Sequence, residues 1–299
     1  MIDSSQPRVG VVIPCRDRAD TVAEAVLSVL DQDYSNLEVI AVDDGSTDST
    51  VNVLRGIRDP RLRILSNFGT RGPSAARNFG VRHTTAPWIA FQDSDDLWRP
   101  ARLSRQMPRL ASGSWIGGFC GMEVKLGSQI DSPVIDRYPR PGTAPRSSRV
   151  LPDLLRNSIV STQMLILRRD VFELVGGFDE TLSALVDWEL MLRVAPEGPI
   201  DFLAENLVVQ RLSPNSITWM SARRVAAQQQ VLEKHRDLFA TDPKALARHH
   251  HRIAGSLRTL GKWHAARAHS AAAMRLFPTR PRYVAAYAWS FLGSIGPSR

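Results

Sequence analysis

Asp93, Asp95 and Asp96 place three carboxylates within four residues, in the stretch Phe91-Gln92-Asp93-Ser94-Asp95-Asp96-Leu97. The apolar run Trp88-Ile89-Ala90-Phe91 just before them, bounded by Pro87, reads as a short buried strand. Carboxylates two residues apart at a strand end can aim oxygens at one point. That suits a hard divalent cation, which takes oxygen ligands and often shares its remaining positions with water and substrate phosphates. Taken alone, the string reads more simply as a solvated acidic turn, so the choice rests on its surroundings.

The elements around it alternate. Arg8 to Pro14 is an apolar run closed by proline, Asp20 to Gln32 carries apolar residues at helical spacing, and Leu37 to Val42 is a second strand ending in Asp43-Asp44-Gly45-Ser46. A helix from about Asp48 to Ile57, a strand at Leu62 to Leu65, a helix from Ser74 to about His83 and the Trp88 strand follow. This rhythm predicts an α/β fold with a doubly wound, mostly parallel, Rossmann-like sheet flanked by helices. In such sheets ligands bind beyond the carboxyl ends of the strands. Cys15-Arg16-Asp17, Asp43-Asp44-Gly45-Ser46 and Asp93-Ser94-Asp95-Asp96 would share that rim. No G-x-G-x-x-G follows the first strand, which argues against a dinucleotide cofactor. Further on, the pattern predicts a helix over Arg99 to Ala111, a strand pair or bent strand over Trp115 to Lys125, and a long irregular loop over Gly127 to Arg149. It then predicts a short helix at Leu151 to Leu155, a strand at Ser161 to Leu167, helices at Asp170–Val175 and Val186–Val194, and a last strand at Ile200 to Gln210.

The chain has 299 residues and a net charge of +8, unevenly spread. From Arg211 onward there are 15 Lys and Arg against 3 Asp and Glu; the first 210 residues hold 23 against 27. Residues 1–218 therefore read as the body carrying the chemistry and 219–299 as a basic helical extension. Two distant cysteines, Cys15 and Cys120, argue against a disulfide framework or a thiolate metal site, with a reducing cytoplasm the simplest setting. The start of the chain lacks a signal-peptide pattern, and no apolar run is long enough to span a membrane. Tyr283 to Ile295, apolar and flanked by Arg280, Arg282 and Arg299, reads either as a helix packed on the body or as a peripheral contact with an anionic membrane at the inner face of the plasma membrane. No nucleic-acid-binding module is present.

Six motifs occur in order: Val11-Val12-Ile13-Pro14, Val42-Asp43-Asp44-Gly45-Ser46-Thr47-Asp48, Ala76-Arg77-Asn78-Phe79-Gly80, Phe91 to Asp96, Gly176-Gly177-Phe178-Asp179 and Asp187-Trp188-Glu189-Leu190. Together they resemble the family 2 glycosyltransferases of GT-A fold, over roughly residues 8 to 218. The resemblance implies an inverting, nucleotide-sugar-dependent hexosyltransferase acting on a glycan or lipid-linked acceptor of cell-envelope type. It implies that Asp44 accepts from the donor base with Pro14 and Arg16 lining the pocket, although Asp43 or Asp44 could instead cap the next helix. Arg71 and Arg77 would meet the diphosphate, the alternative for Arg77 being an ion pair on its helix. Asp93 would touch ribose and, with Asp95, hold Mg2+ or Mn2+ against the diphosphate, with Asp96 behind them or capping the Arg99 helix. Asp187 would be the base and Glu189 its runner-up, while Gly177, Phe178, Trp188 and Glu189 would meet the acceptor.

The departures are also informative. Val186 replaces the acid that usually precedes the base, and Arg16-Asp17 replaces an aromatic residue and asparagine. No histidine occurs in Arg211 to Ser216, so the metal site would be completed differently, with Arg211 left to contact the diphosphate. Two other readings compete: a metal-dependent nucleotidyltransferase or phosphohydrolase, and a catalytically silent module that holds a nucleotide sugar.

Overall fold

Every residue of Val9–Cys15 (β1) and Leu37–Asp43 (β2) is buried, as expected of parallel strands covered on both faces. The structure is a computed structural model that describes residues 6–67, 69, 72–127, 132–212 and 222–292. Between and after these strands come Val22–Leu30 (α1), Thr50–Gly56 (α2), Leu62–Ser66 (β3), Pro73–Arg82 (α3) and Trp88–Phe91 (β4). Leu97–Trp98 (β5), Arg102–Ala111 (α4), Gly117–Leu126 (β6), Val134–Tyr138 (β7), Leu151–Arg156 (α5), Leu165–Arg168 (β8), Arg169–Leu174 (α6), Val186–Val194 (α7) and Ile200–Leu212 (β9) follow. The remainder is helical: Ala222–Lys234 (α8), Arg236–Ala240 (α9), Pro243–Thr259 (α10), Trp263–Leu276 (α11) and Pro281–Leu292 (α12).

The nine strands form one sheet in the order β3-β2-β1-β4-β8-β6-β9-β5, with β7 paired to β6. The β3-β2-β1-β4 half is wholly parallel. Beyond β4 the sheet is mixed: β8 is antiparallel to β4 and β6, β9 parallel to β6, and β5 antiparallel to β9. The expected irregular loop after Gly127 in fact carries β7, an edge strand on β6. The expected strand from Ser161 starts with a 3-10 turn at Thr162–Met164, and only Leu165–Arg168 pairs.

The chain divides into two compact units. One holds the sheet; the other gathers Pro152–Ser158 and Leu182–Leu185 with the helices from α8 onward. In the second unit Pro243 opens α10 while the Asp242 side chain accepts from Ala245 N at 3.0 Å, a combination that satisfies a free backbone donor and pre-sets the first turn. Ala247, Ala273 and Tyr283 bury the contact among α10, α11 and α12. Among the described residues no helix is long and apolar enough to cross a membrane.

Two expectations follow. On α3, a Cβ at Gly80 would come 2.4 Å from Val12 Cγ1 and 3.1 Å from Val42 Cγ2. Gly80→Val should therefore cost about 1–3 kcal/mol of unfolding free energy through overpacking, read from the urea midpoint. In the second unit, His249 Nδ1 faces Gln228 Nε2 at 3.1 Å and its Nε2 faces Leu155 O at 2.8 Å. These partners fix the neutral tautomer with hydrogen on Nε2. Burial, foremost, pulls this imidazole down to about 4. A group that prefers to stay neutral in the fold gives its full stability above the ordinary histidine value and loses it as pH falls towards 4, a change of roughly 3 kcal/mol. His249→Gln should flatten the acid limb of the circular-dichroism unfolding profile.

Candidate active site

β1, β2 and β4 run parallel, so Cys15, Asp43 and Phe91 leave the sheet on one rim. Pro14 is tolerated there. Val12 O accepts from Gln92 N, so residues of that parity bond towards β4, and the β1–β4 ladder ends at Val12 opposite Phe91. The proline therefore removes no ladder bond. Asp17 then takes a left-handed backbone, φ 50°. Its Oδ1 accepts from Thr47 N at 2.8 Å and Thr47 Oγ1 at 3.2 Å, and its own N donates to Ser46 Oγ at 3.1 Å. The Thr47 N–H, foremost, holds the Asp17 carboxyl below the usual carboxylate range. Arg18 N donates to Thr50 Oγ1 at 2.7 Å and Ala19 N to Asp48 Oδ2 at 3.1 Å. These bonds join the two loops into one surface, on which Arg16 is exposed. Beneath it Asp44 is buried, with Oδ1 accepting from Asn67 Nδ2 at 2.8 Å and Oδ2 from Gly72 N at 2.7 Å. Gly72 supplies the positive φ of 116° from which the chain enters Pro73 at the start of α3.

The three carboxylates after β4 are met in three different ways. The Asp93 side chain is 27% exposed and pairs with buried Arg77, Nη2 to Oδ1 at 2.5 Å. That of Asp95 is 45% exposed, with Arg18 Nε 3.7 Å from its Oδ2. Asp96 is buried and accepts from Gln163 Nε2 at 2.7 Å and Arg211 N at 2.9 Å. Burial, followed by the neighbouring Asp93, raises the Asp95 carboxyl; burial, then Asp93 and Asp95, raises that of Asp96 well above its usual value. Arg211 also donates through Nε to Asp95 O at 2.7 Å and pairs through Nη1 with Glu24 at 2.5 Å.

On the neighbouring face of α3, Asn78 reads the Gly176-Gly177-Phe178 turn. Its Oδ1 accepts from Phe178 N and its Nδ2 donates to Phe178 O, both at 2.9 Å. Gly177 has φ 70°, and a Cβ there would come 2.7 Å from Asn78 Oδ1, so glycine is required on both counts. Phe178 packs edge-on to Phe91 with centroids 5.0 Å apart, and the Arg77 guanidinium lies 5.5 Å from its ring. Arg193 of α7 holds the same turn, donating to Gly177 O at 2.8 Å and to Val175 O. Buried Glu189 grips Arg193 bidentately at 2.9 and 2.6 Å. Asp187, partly exposed in the first turn of α7, accepts from Trp188 N at 2.7 Å.

The structure places Pro14, Arg16, Asp44, Arg77, Asp93 and Asp95 on or under one rim, whereas Arg71 lies outside the described residues. Arg77 forms its ion pair across to the rim, not along its own helix. Asp44 stabilises Asn67 and Gly72 with both oxygens and caps no helix; Asp43 accepts from Ser46 N at 3.0 Å. Asp96 is no cap either, because α4 starts at Arg102 behind Ala101. Of the residues expected to meet an acceptor, Gly177, Phe178, Trp188 and Glu189 are all buried. They are occupied in holding the turn and α7 in place, and Glu189 is not the surface residue a polar helix position suggests. Arg18, Gln163 and Arg193 were not singled out by sequence. Only Arg18, in the basic string after Pro14, carried a local signal; Asn78 lay inside a quoted motif without a role.

Asp93 and Asp95 offer oxygen donors of the right class for Mg2+ or Mn2+; burial raises the Asp95 carboxyl first, and the further contribution from the Asp93 charge is what a cation between them would relieve. Among the described residues no group of three or more His, Cys, Asp or Glu suits a metal. The donor set fits a cation held by two carboxylates and completed by diphosphate and water. An open cavity of about 570 Å3 lies elsewhere, beside Pro7, Pro87, Trp88 and Arg168, where β4 begins.

Residues 10–174, more than half the chain, match Glycosyl transferase family 2. The chain belongs to that family of glycosyltransferases. It is 33% identical over 226 residues to the Escherichia coli UDP-Glc:alpha-D-GlcNAc-diphosphoundecaprenol beta-1,3-glucosyltransferase WfgD, covering 75% of this chain and 85% of that one. It is 41% identical over 111 residues to the Succinoglycan biosynthesis protein ExoO of Rhizobium meliloti, covering 37% of this chain and 32% of ExoO. The match to an uncharacterized glycosyltransferase of Rickettsia felis covers 35% of that protein, so the chain spans about a third of the length of these two relatives. Among solved structures, S. aureus TarS 1-349 in complex with UDP-GlcNAc aligns with TM-score 0.68 at 16% identity, over 96% of this chain and 91% of that one. The mannosyltransferase PcManGT from Pyrobaculum calidifontis, in complex with GDP-Man and Mn2+, aligns with TM-score 0.62 at 21% identity, over 98% and 82%. At such identities the likeness is one of fold, the GT-A fold.

The pair of buried Glu189 and half-buried Arg193 on α7 separates a structural role from a catalytic one. Glu189→Ala leaves the half-buried Arg193 guanidinium without its carboxylate, with Val175 O and Gly177 O still accepting from it, and should cost about 1–3 kcal/mol of stability. Glu189→Gln, which keeps the shape and one acceptor, should retain most transferase activity. A loss of about a hundredfold or more in kcat with unchanged thermal unfolding would instead make Glu189 the base.

Proposed function

We propose that this chain transfers a sugar with inversion from a nucleoside diphosphate sugar to a hydroxyl of a glycan carried on a lipid diphosphate. The observation that carries the reading is the rim itself: two partly exposed carboxylates, Asp93 and Asp95, each beside an arginine, at the carboxyl ends of parallel strands. Family membership supports sugar transfer, and the likeness to WfgD, a UDP-Glc-dependent glucosyltransferase of a diphosphoundecaprenol-linked sugar, supports a lipid-linked acceptor and a UDP-sugar donor.

Pro14, Arg16 and the stitched loops form the floor for the donor base, with Asp44 shaping it through Asn67 and Gly72. Asp93 and Asp95 would hold the divalent cation, which supplies neutralisation of the charge that grows on the departing nucleoside diphosphate. Arg77 and Arg18 face the same spot and turn to phosphate oxygens once the carboxylates are otherwise engaged. Inversion in a single displacement requires one base. Asp187, partly exposed at the start of α7, takes the acceptor proton as the acceptor oxygen bonds to the anomeric carbon and the bond to the diphosphate oxygen breaks. Glu189, Arg193 and the Gly-Gly-Phe turn position that helix, so the acceptor meets the solvent side of its first turn and not the four buried residues.

Asp187→Asn should lower kcat by about 10²–10⁴-fold while donor affinity stays within error, by calorimetry with the nucleoside diphosphate and Mn2+. Asp95→Asn should weaken that cation-dependent binding. Release of pyrophosphate or phosphate in place of a nucleoside diphosphate, across a panel of nucleotide sugars, would overturn the reading in favour of a nucleotidyltransferase or phosphohydrolase.

A further inference from the structure

The second unit presents an exposed apolar face on α12. Tyr283, Ala286 and Ser290 bury one side of α12. The opposite side exposes Val284 at 42%, Trp289 at 59% and Phe291 at 38%, with Ala285 and Ala288 between them. Three of the eight large exposed apolar side chains among the described residues thus fall on this one helix, a clustering that isolated surface apolar residues do not show. Arginines rim the strip. The Arg258 guanidinium lies 5.3 Å from the Trp289 ring and that of Arg267 4.8 Å from the Phe291 ring. Arg280 and Arg282 are exposed at the start of the helix. Residues 222–292 hold 13 Lys and Arg against 3 Asp and Glu, so the strip sits in a field of one sign.

We propose that the exposed face of α12 docks on an anionic lipid surface, with Trp289, Phe291 and Val284 entering the headgroup and acyl boundary and the arginines meeting lipid phosphates. The chemistry is specific to that occupant. An apolar strip wide enough for shallow insertion, an interfacial tryptophan and flanking guanidiniums reinforce one another at a negatively charged bilayer. A protein partner of matching charge would need an acidic rim, and a nucleic acid would leave the apolar strip unburied. The docking is independent of the acceptor assigned above.

The test is co-flotation of the full chain with vesicles of phosphatidylcholine alone and of phosphatidylcholine mixed with phosphatidylglycerol, at low and high salt. Binding should appear with the mixed vesicles and fall as salt rises. Trp289→Ser combined with Phe291→Ser, both exposed, should reduce partitioning by about tenfold or more. Arg280→Gln, also exposed, should reduce it by about fivefold without changing the thermal unfolding midpoint. Partitioning that is absent, equal on neutral vesicles, or unchanged in the double variant would overturn the proposal. So would a dimer in sedimentation velocity that the double variant abolishes, because it would assign the face to a second copy.

Discussion

Three carboxylates within four residues cannot share a turn unless their charge is met. Two such groups about 4 Å apart repel by roughly 4 kcal/mol at the effective dielectric of a protein surface, more than an ordinary hydrogen bond contributes net. The rim is arranged around that problem. Asp93 has buried Arg77 and Asp95 has Arg18. Asp96 is withdrawn from water, given Gln163 and the Arg211 N–H as donors, and raised towards its neutral form. Arg211 then reaches back to the Asp95 carbonyl and to Glu24 on α1. The last strand of the sheet is thereby bonded to the turn after β4 and to the first helix, elements far apart in the chain.

The same constraint explains why α3 is central. Arg77 and Asn78 are neighbours in sequence, but one answers the acidic turn and the other the Gly-Gly-Phe turn. Gly80, one turn on, lets that helix approach β1 and β2 closely enough for both. From the turn, Arg193 and Glu189 carry the connection into α7 and so to Asp187. Each link is a hydrogen-bonded or charged group in buried or half-buried surroundings, where leaving a partner unmet is costly. The carboxylates on the rim and the helix that carries Asp187 are therefore positioned by one continuous network.

Much of this was legible in the sequence. β1, β2 and β4 read as strands because burial on both faces leaves an unbroken apolar run, and the family resemblance set Asp93 and Asp95 apart from Asp96; the turn closed by Asp96 N donating to Asp93 O is what turns Asp96 inward. β7 was not legible: a half-exposed edge strand among prolines and glycines has neither periodicity nor length to announce it. Trp188 and Glu189 misled for the opposite reason. From Trp188 to Leu192 every residue of α7 is buried, so a charged residue there marks an internal ion pair and not a solvent face. Gln163 and Arg211 meet Asp96 from 67 and 115 residues away, a relation that only the assembled sheet creates. Asp44 shows the limit of motif reading, since its type was anticipated whereas its partners, a backbone N–H and an asparagine across a turn, were not.

The division of charge has a similar logic. In the first 210 residues 23 basic side chains face 27 acidic ones, and the arginines that matter at the rim are consumed in local pairs. Their charge is spent on geometry. From residue 222 on, three acids cannot neutralise the basic residues around them, so a field remains outside the protein. Such a field is sequence-tolerant and decays within about 8 Å at physiological ionic strength, so by itself it attracts any anion and selects none. Selection requires a second, short-range term at the same place. On α12 that term is an exposed apolar strip whose rings lie against the guanidiniums, where desolvating the rings brings the charges to within contact of whatever surface lies beyond.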